Sequence, residues 1–139
     1  EEIVFHIHTL QLQNHVFLLG KKNKNEVNEW MNRSDVFLLT SVYEGIPNVV
    51  LEAMAMELAV VTTNCGGVDE VIEHGKDGFI TELYDSKKIA EYLEHLFLNR
   101  EEIYKVGKEG RKKILAEFTL QRQVNVFKNE YHKIINILK

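Results

Sequence analysis

The sequence predicts an α/β domain, a parallel sheet with helices on both faces. Three observations predict it. Short apolar runs at 16–19 (VFLL), Val36–Leu39 and 60–63 (VVTT) have the length of buried strands and alternate with helix-length segments. Glycine-bearing turns follow these runs at Gly20 and Gly66-Gly67, and another stands at 75–78. The 139 residues are 45% apolar and 27% charged, the composition of one globular domain. A chain of that length buries about two-thirds of the surface its unfolded form exposes. Eight glycines and one proline exclude a collagen-like or linker segment.

Each element follows in order. Ile3, Ile7 and Leu10 recur at helical spacing within residues 1–12. The 16–19 run reads as a first strand, ended by Gly20. Residues 25–32 form a short polar helix with Val27, Trp30 and Met31 inward, Trp30 as a core residue. Val36–Leu39 is the next buried strand, followed by a polar elbow at 40–45. Pro47 suits the first position of a helix over 48–57. The 60–63 strand turns through 64–67 into a short helix around 68–74. The turn at 75–78 leads to a short strand at 79–81. Ser86 caps a helix with Ile89, Tyr92, Leu93, Leu96 and Phe97 inward. Asn99, with Glu102 three residues on, caps another that runs to about Phe118. Thr119 caps the last, whose apolar set is Val124, Phe127, Tyr131, Ile134 and Leu138. The expected architecture is Rossmann-like, with residues 1–139 as one domain.

Several functions are excluded. No apolar run approaches the roughly 20 residues that span a bilayer. The single cysteine, Cys65, rules out a disulfide framework and fits a buried small residue in a reducing compartment. A net charge of −4 with both signs mixed argues against nucleic acid as a partner. The six histidines have no metal-ligand spacing, so no metal is expected, and no cofactor is expected either. Ser41 has no glycine-flanked elbow and does not read as a nucleophile. The chain opens on Glu1-Glu2 rather than methionine, so it is expected to be a piece of a longer protein.

Ligands of parallel sheets bind beyond the carboxyl ends of the strands. Three loops leave such ends: 20–24, 40–47 and 64–67. In 49–60 (VVLEAMAMELAV) ten of twelve residues are apolar, so the helix is expected to be buried on most sides, and a carboxylate at Glu52 is costly unless something binds it. Glu44 stands eight positions earlier. Glu52 falls about 7–8 Å along a helix that starts at Pro47. The free amides at that start favour an anion. A carboxylate on each side of an anion suits a sugar–phosphate–ribose ligand, whose hydroxyls donate to carboxylates.

The segment EGIPNVVLEAMA at 44–55 resembles the Glu-x7-Glu signature of retaining glycosyltransferases with the GT-B fold, family four. SDVFLLTS at 34–41, VVTTNCGGVDEVI at 60–72 and GKDGFI at 75–80 match that family in order and spacing. The resemblance runs from about Val16 to Leu138. It implies the C-terminal, nucleotide-sugar-binding domain of such an enzyme. By this analogy Glu44 is the catalytic-site acid that holds donor sugar hydroxyls. The backbone of Gly45, Ile46, Pro47, Asn48 and Val49 faces the sugar and diphosphate. Glu52 takes the ribose hydroxyls, and Gly20 with Lys21 borders the base. The family usually carries Cys-Gly and Pro where this chain has Met56-Glu57 and Ala59. Its Arg/Lys diphosphate clamp, the first strands of this domain and the acceptor-binding N-terminal domain have no counterpart in these residues.

The resemblance implies sugar transfer from a nucleotide diphosphate donor, with retention, in the full-length protein. The isolated chain is expected to fold without transferring. Alternatives of the same fold are a GT-B nucleotide-sugar epimerase and a non-catalytic nucleotide-binding module. Surface-polysaccharide or glycolipid synthesis, cytoplasmic and at the inner membrane face, is the setting the family implies. Val126, Ile135 and Ile137 lie off the stripe of the last helix, so a second apolar surface is expected there. It would meet the remainder of the protein or a second copy of the chain.

Overall fold

The computed structural model describes residues 2–137 and falls into two compact units, Glu1–Trp30 and Met31–Lys139. The second carries the sheet. Its middle strand, β2 (Ala59–Thr63), is buried at all five positions, as a strand between two neighbours must be. β1 (Val36–Leu39) and β3 (Phe79–Thr81) pair with it on either side, both parallel, giving the order β1-β2-β3. Val36 lies opposite Ala59, and Val61 opposite Phe79. The expected parallel α/β architecture is what the chain adopts.

Side chains alternate across β2. Ala59 and Val61 join Phe79, Leu96, Ile103 and Val106 in one apolar cluster. These last three come from α4 (Ser86–Leu98) and α5 (Arg100–Glu117). The helix after β1, α3 (Asn48–Ala55), buries Val50, Ala53 and Met54. Burying a side chain such as Val50 or Met54 contributes about 1.5–3 kcal/mol, and the methyl of Ala53 about 0.8 kcal/mol. α5 comes close enough to α3 that a Cβ on Gly107 would fall on the carbonyl of Glu57. The turn after β2 is tied by Asp77, 2% exposed, whose Oδ1 accepts from the Glu73 amide at 2.7 Å while Lys113 lies 3.4 Å from its other oxygen. In that turn the hydrogen bond from Lys76 holds the Glu73 carboxyl below the usual glutamate range.

Several expectations are corrected. Residues 16–19 form no strand, and all four side chains are exposed. A strand exists only through its ladder, and their unit, which holds α1 (Glu2–Thr9) and most of α2 (Lys24–Asn32), has no other strand among its described residues to supply one. Residues 68–74 make a single turn, with Val68's carbonyl accepting from Val71 and Ile72, and no helix. Trp30 is 42% exposed and Phe97 68%, so neither is core. Asp85 rather than Ser86 caps α4, its carboxylate accepting from the Lys88 amide at 2.9 Å. Asn99 makes no side-chain cap for α5; its Nδ2 donates back to the His95 carbonyl that ends α4. Thr119 does cap the last helix, α6 (Leu120–Ile137), accepting from the Arg122 amide. Yet α6 buries nothing: Val124, Phe127, Tyr131 and Ile134 are as exposed as Val126, Ile135 and Ile137. Leu138 and Glu1 lie outside the described residues.

Candidate functional site

The loop after β1 is fastened to the end of β2 by a side-chain hydrogen bond and a backbone bridge. Thr63 Oγ1, inside the sheet, donates to the Ser41 carbonyl at 2.5 Å. The Glu44 amide donates to the Cys65 carbonyl at 2.5 Å. Glu44 and Gly66 form a parallel bridge. Gly66 itself has φ +125, and a Cβ there would fall on the Glu44 carbonyl oxygen, so only glycine admits this approach. Gly67 packs next to it, with Ile46 Cγ1 3.1 Å and the Gly45 carbonyl carbon 3.6 Å from where its Cβ would stand. The Gly-Gly pair therefore serves the loop that carries Glu44.

That loop delivers the chain into α3. Pro47 is buried and extended, with φ −70 and ψ 115, and stands at the N-cap, one place ahead of the expected first helical position. Its carbonyl accepts from Val50 at 2.9 Å and Leu51 at 3.4 Å. No side chain caps the helix, so the amides of Asn48 and Val49 point forward at its positive end. Glu52, the fifth residue of α3, lies about 6 Å along it. It is half-buried, because α3 buries one face rather than most sides: Asn48 is exposed, and Val49, Leu51, Glu52 and Ala55 are half-buried. Glu44 stands exposed before the helix start, its Oε1 accepting from Ser41 Oγ at 3.1 Å.

Of the residues singled out by sequence, Glu44, Gly45, Ile46, Pro47, Asn48, Val49 and Glu52 thus form one continuous loop-and-helix start. Gly20 and Lys21 belong to the first unit, where no strand precedes them among the described residues; Gly20 has φ +65 and Lys21 is exposed. Two cavities flank the loop. One of about 320 Å³ opens among Thr40, Ser41, Val42, Thr63, Leu83 and Tyr84. The other, about 480 Å³, runs from Ile46, Asn48 and Leu51 to Phe118, Arg122 and Phe127 at the start of α6. Sequence reasoning missed Ser41 and Thr63. A serine three places before a glutamate is the spacing of local side-chain pairing and could have drawn attention to the first. Among the described residues, no three His, Cys, Asp or Glu side chains gather as a metal site would, and no helix is long and apolar enough to cross a membrane.

Known proteins resemble this chain in sequence and fold. N-acetyl-alpha-D-glucosaminyl L-malate synthase of Bacillus anthracis is 30% identical over 129 residues, covering 93% of this chain and 33% of that protein. The C-terminal domain of a glycosyl transferase group 1 family protein (LpcC) from Francisella tularensis superposes with a TM-score of 0.80 at 26% identity, over 86% of this chain and 62% of that one. A mutant TarM of S. aureus, solved with fondaparinux, alpha-GlcNAc-glycerol and UDP, gives a TM-score of 0.78 at 25% identity, over 91% of this chain and 26% of the other. The chain spans about a third or less of the length of the first two curated relatives it matches. The profile of the glycosyl transferases group 1 matches residues 1–113, a stretch that takes in the whole sheet, the bridged loops and both glutamates, and the chain belongs to that family.

Proposed function

We propose that this chain holds the nucleotide-sugar donor of a retaining glycosyltransferase, which passes the sugar to an acceptor bound elsewhere in the full-length protein. The observation that carries the reading is a pair of glutamates on either side of an uncapped helix start. In it, the Glu44 carboxylate accepts donor sugar hydroxyls, and Glu52 accepts those of the ribose. The backbone of Gly45 to Val49 lies along the sugar and diphosphate. As the bond to the anomeric carbon breaks, charge grows on the leaving diphosphate, and the amides at the start of α3 stabilise it. The isolated chain binds donor without transferring it, since the acceptor side is contributed by other residues. Family membership and the UDP carried by the similar S. aureus protein support this reading. Synthesis of surface polysaccharide or glycolipid at the inner membrane face is the proposed setting.

The two glutamates separate under mutation. Glu52→Ala in the full-length protein is expected to weaken nucleoside diphosphate binding roughly tenfold to a hundredfold, the loss of a charged hydrogen bond. Glu44→Gln is expected to lower turnover and leave that binding nearly intact. Calorimetry and steady-state rates check both. Unchanged affinity for Glu52→Ala, or equal losses of binding and turnover for Glu44→Gln, would defeat the assignment.

A further inference from the structure

We propose that Ser41 is the positioning residue for the Glu44 carboxylate, and that Thr63 holds Ser41 in place. The inference rests on the donor-binding reading of Glu44. Thr63 is 3% exposed in the central strand, and its Oγ1 donates to the Ser41 carbonyl at 2.5 Å. The Ser41 hydroxyl donates to Glu44 Oε1 at 3.1 Å. Residue 44 is held from behind as well, through the bridge to Gly66 in which its amide donates to the Cys65 carbonyl. A chain of contacts thus runs from the most buried strand to one carboxylate oxygen at the surface.

The consequence is a fixed acid in an exposed place. A surface glutamate with no tether spreads over several rotamers, and a ligand that needs one of them must supply the ordering entropy. Here that ordering precedes the ligand. Oε1 already accepts from Ser41, so Oε2, with both its lone pairs open among the described residues, is the better placed oxygen to accept hydroxyls. Ser41 acts through Glu44, not on the sugar.

The test has two arms. In this chain, the Hα–Hβ scalar couplings of Glu44 by NMR are expected to report one χ1 rotamer. Ser41→Ala averages them, Ser41→Thr keeps them fixed, and Thr63→Val loosens them in part. Averaged couplings in the wild type, or fixed ones in Ser41→Ala, overturn the proposal. In the full-length protein, consumption of UDP-, GDP- and ADP-glucose is followed. Ser41→Ala is expected to lower kcat about tenfold with nucleoside diphosphate affinity unchanged, and Ser41→Thr to restore it. In a Glu44→Ala background, Ser41→Ala is expected to cost nothing more. Additive losses would show that Ser41 acts independently of Glu44 and sink the idea. If Glu44→Ala consumes donor like the wild type, or the wild type consumes none of the three, the donor reading fails. The catalytic part of the proposal then falls with it, whatever the couplings show.

Discussion

The residue with least chemistry has the largest hold on the site. Gly66 offers no side chain, yet it sits where any Cβ would strike the Glu44 carbonyl, in a backbone conformation that L side chains rarely adopt. Gly66→Ala is therefore expected to destabilise the chain by about 1–3 kcal/mol and to abolish donor turnover in the full-length protein, read by thermal melting and rate assay. A melt and a rate equal to wild type would refute the close approach. The two glutamates were legible in the sequence because a carboxylate among ten apolar neighbours, with another just ahead of a lone proline, is chemically conspicuous. Ser41 was not, since one polar side chain on a polar elbow has no hydropathy contrast. Gly66-Gly67 was visible as a turn, but its dependence on residue 44 comes from a parallel bridge between Glu44 and Gly66, segments that the Thr63–Ser41 hydrogen bond also ties across 22 residues of sequence, which no local pattern records.

Among the elements, α3 ends in a geometry that its own sequence resists. Leu58's amide reaches the Ala53 carbonyl and Glu57's reaches Met54, the paired bonds of a Schellman motif. The residue after the cap must then be left-handed, and Glu57 takes φ +63 where the family usually has glycine. Arg111 partly compensates, lying 3.6 Å from the Glu57 carboxylate and donating to the Ala55 carbonyl at 2.7 Å. Glu57→Gly is expected to raise stability by roughly 0.5–1 kcal/mol, as relief of the left-handed backbone outweighs an exposed ion pair and a looser unfolded chain. Chemical denaturation of the two proteins decides it, and a loss of stability would mean that Arg111 contributes more than the backbone strain costs. Elements fixed by periodicity or by a covalent feature, such as α4, α5 and the Pro47 start of α3, were readable. The 16–19 run was not, because four apolar residues state a wish for burial and say nothing of a ladder partner. The choice between Asp85 and Ser86 as a cap turns on one residue of phase, which periodicity does not resolve.

For the whole molecule, the exposed apolar side chains of α6 are the feature that governs behaviour in solution. Val126, Ile135 and Ile137 are 53, 50 and 81% exposed, and the opposite stripe is no better covered. The chain on its own is expected to self-associate at tens of micromolar concentration, and Val126→Asp with Ile135→Asp to return it to a monomer in sedimentation velocity. A wild-type monomer throughout would show that α6 needs no cover. The sheet has a different consequence. β2 is paired along both edges, while β1 and β3 each have one edge without a strand partner among the described residues. Local opening is easiest where backbone bonds are fewest, so deuterium should enter the amides of Val36–Leu39 well before those of Val60 and Val61. Glu44 follows the looser strand in sequence but is bridged to Gly66, just beyond the end of the tighter one, and its amide should exchange on the slow clock of β2. An acid that keeps time with the centre of the sheet while the segment before it breathes stays aimed through fluctuations that would let an incoming ligand slip past the margin.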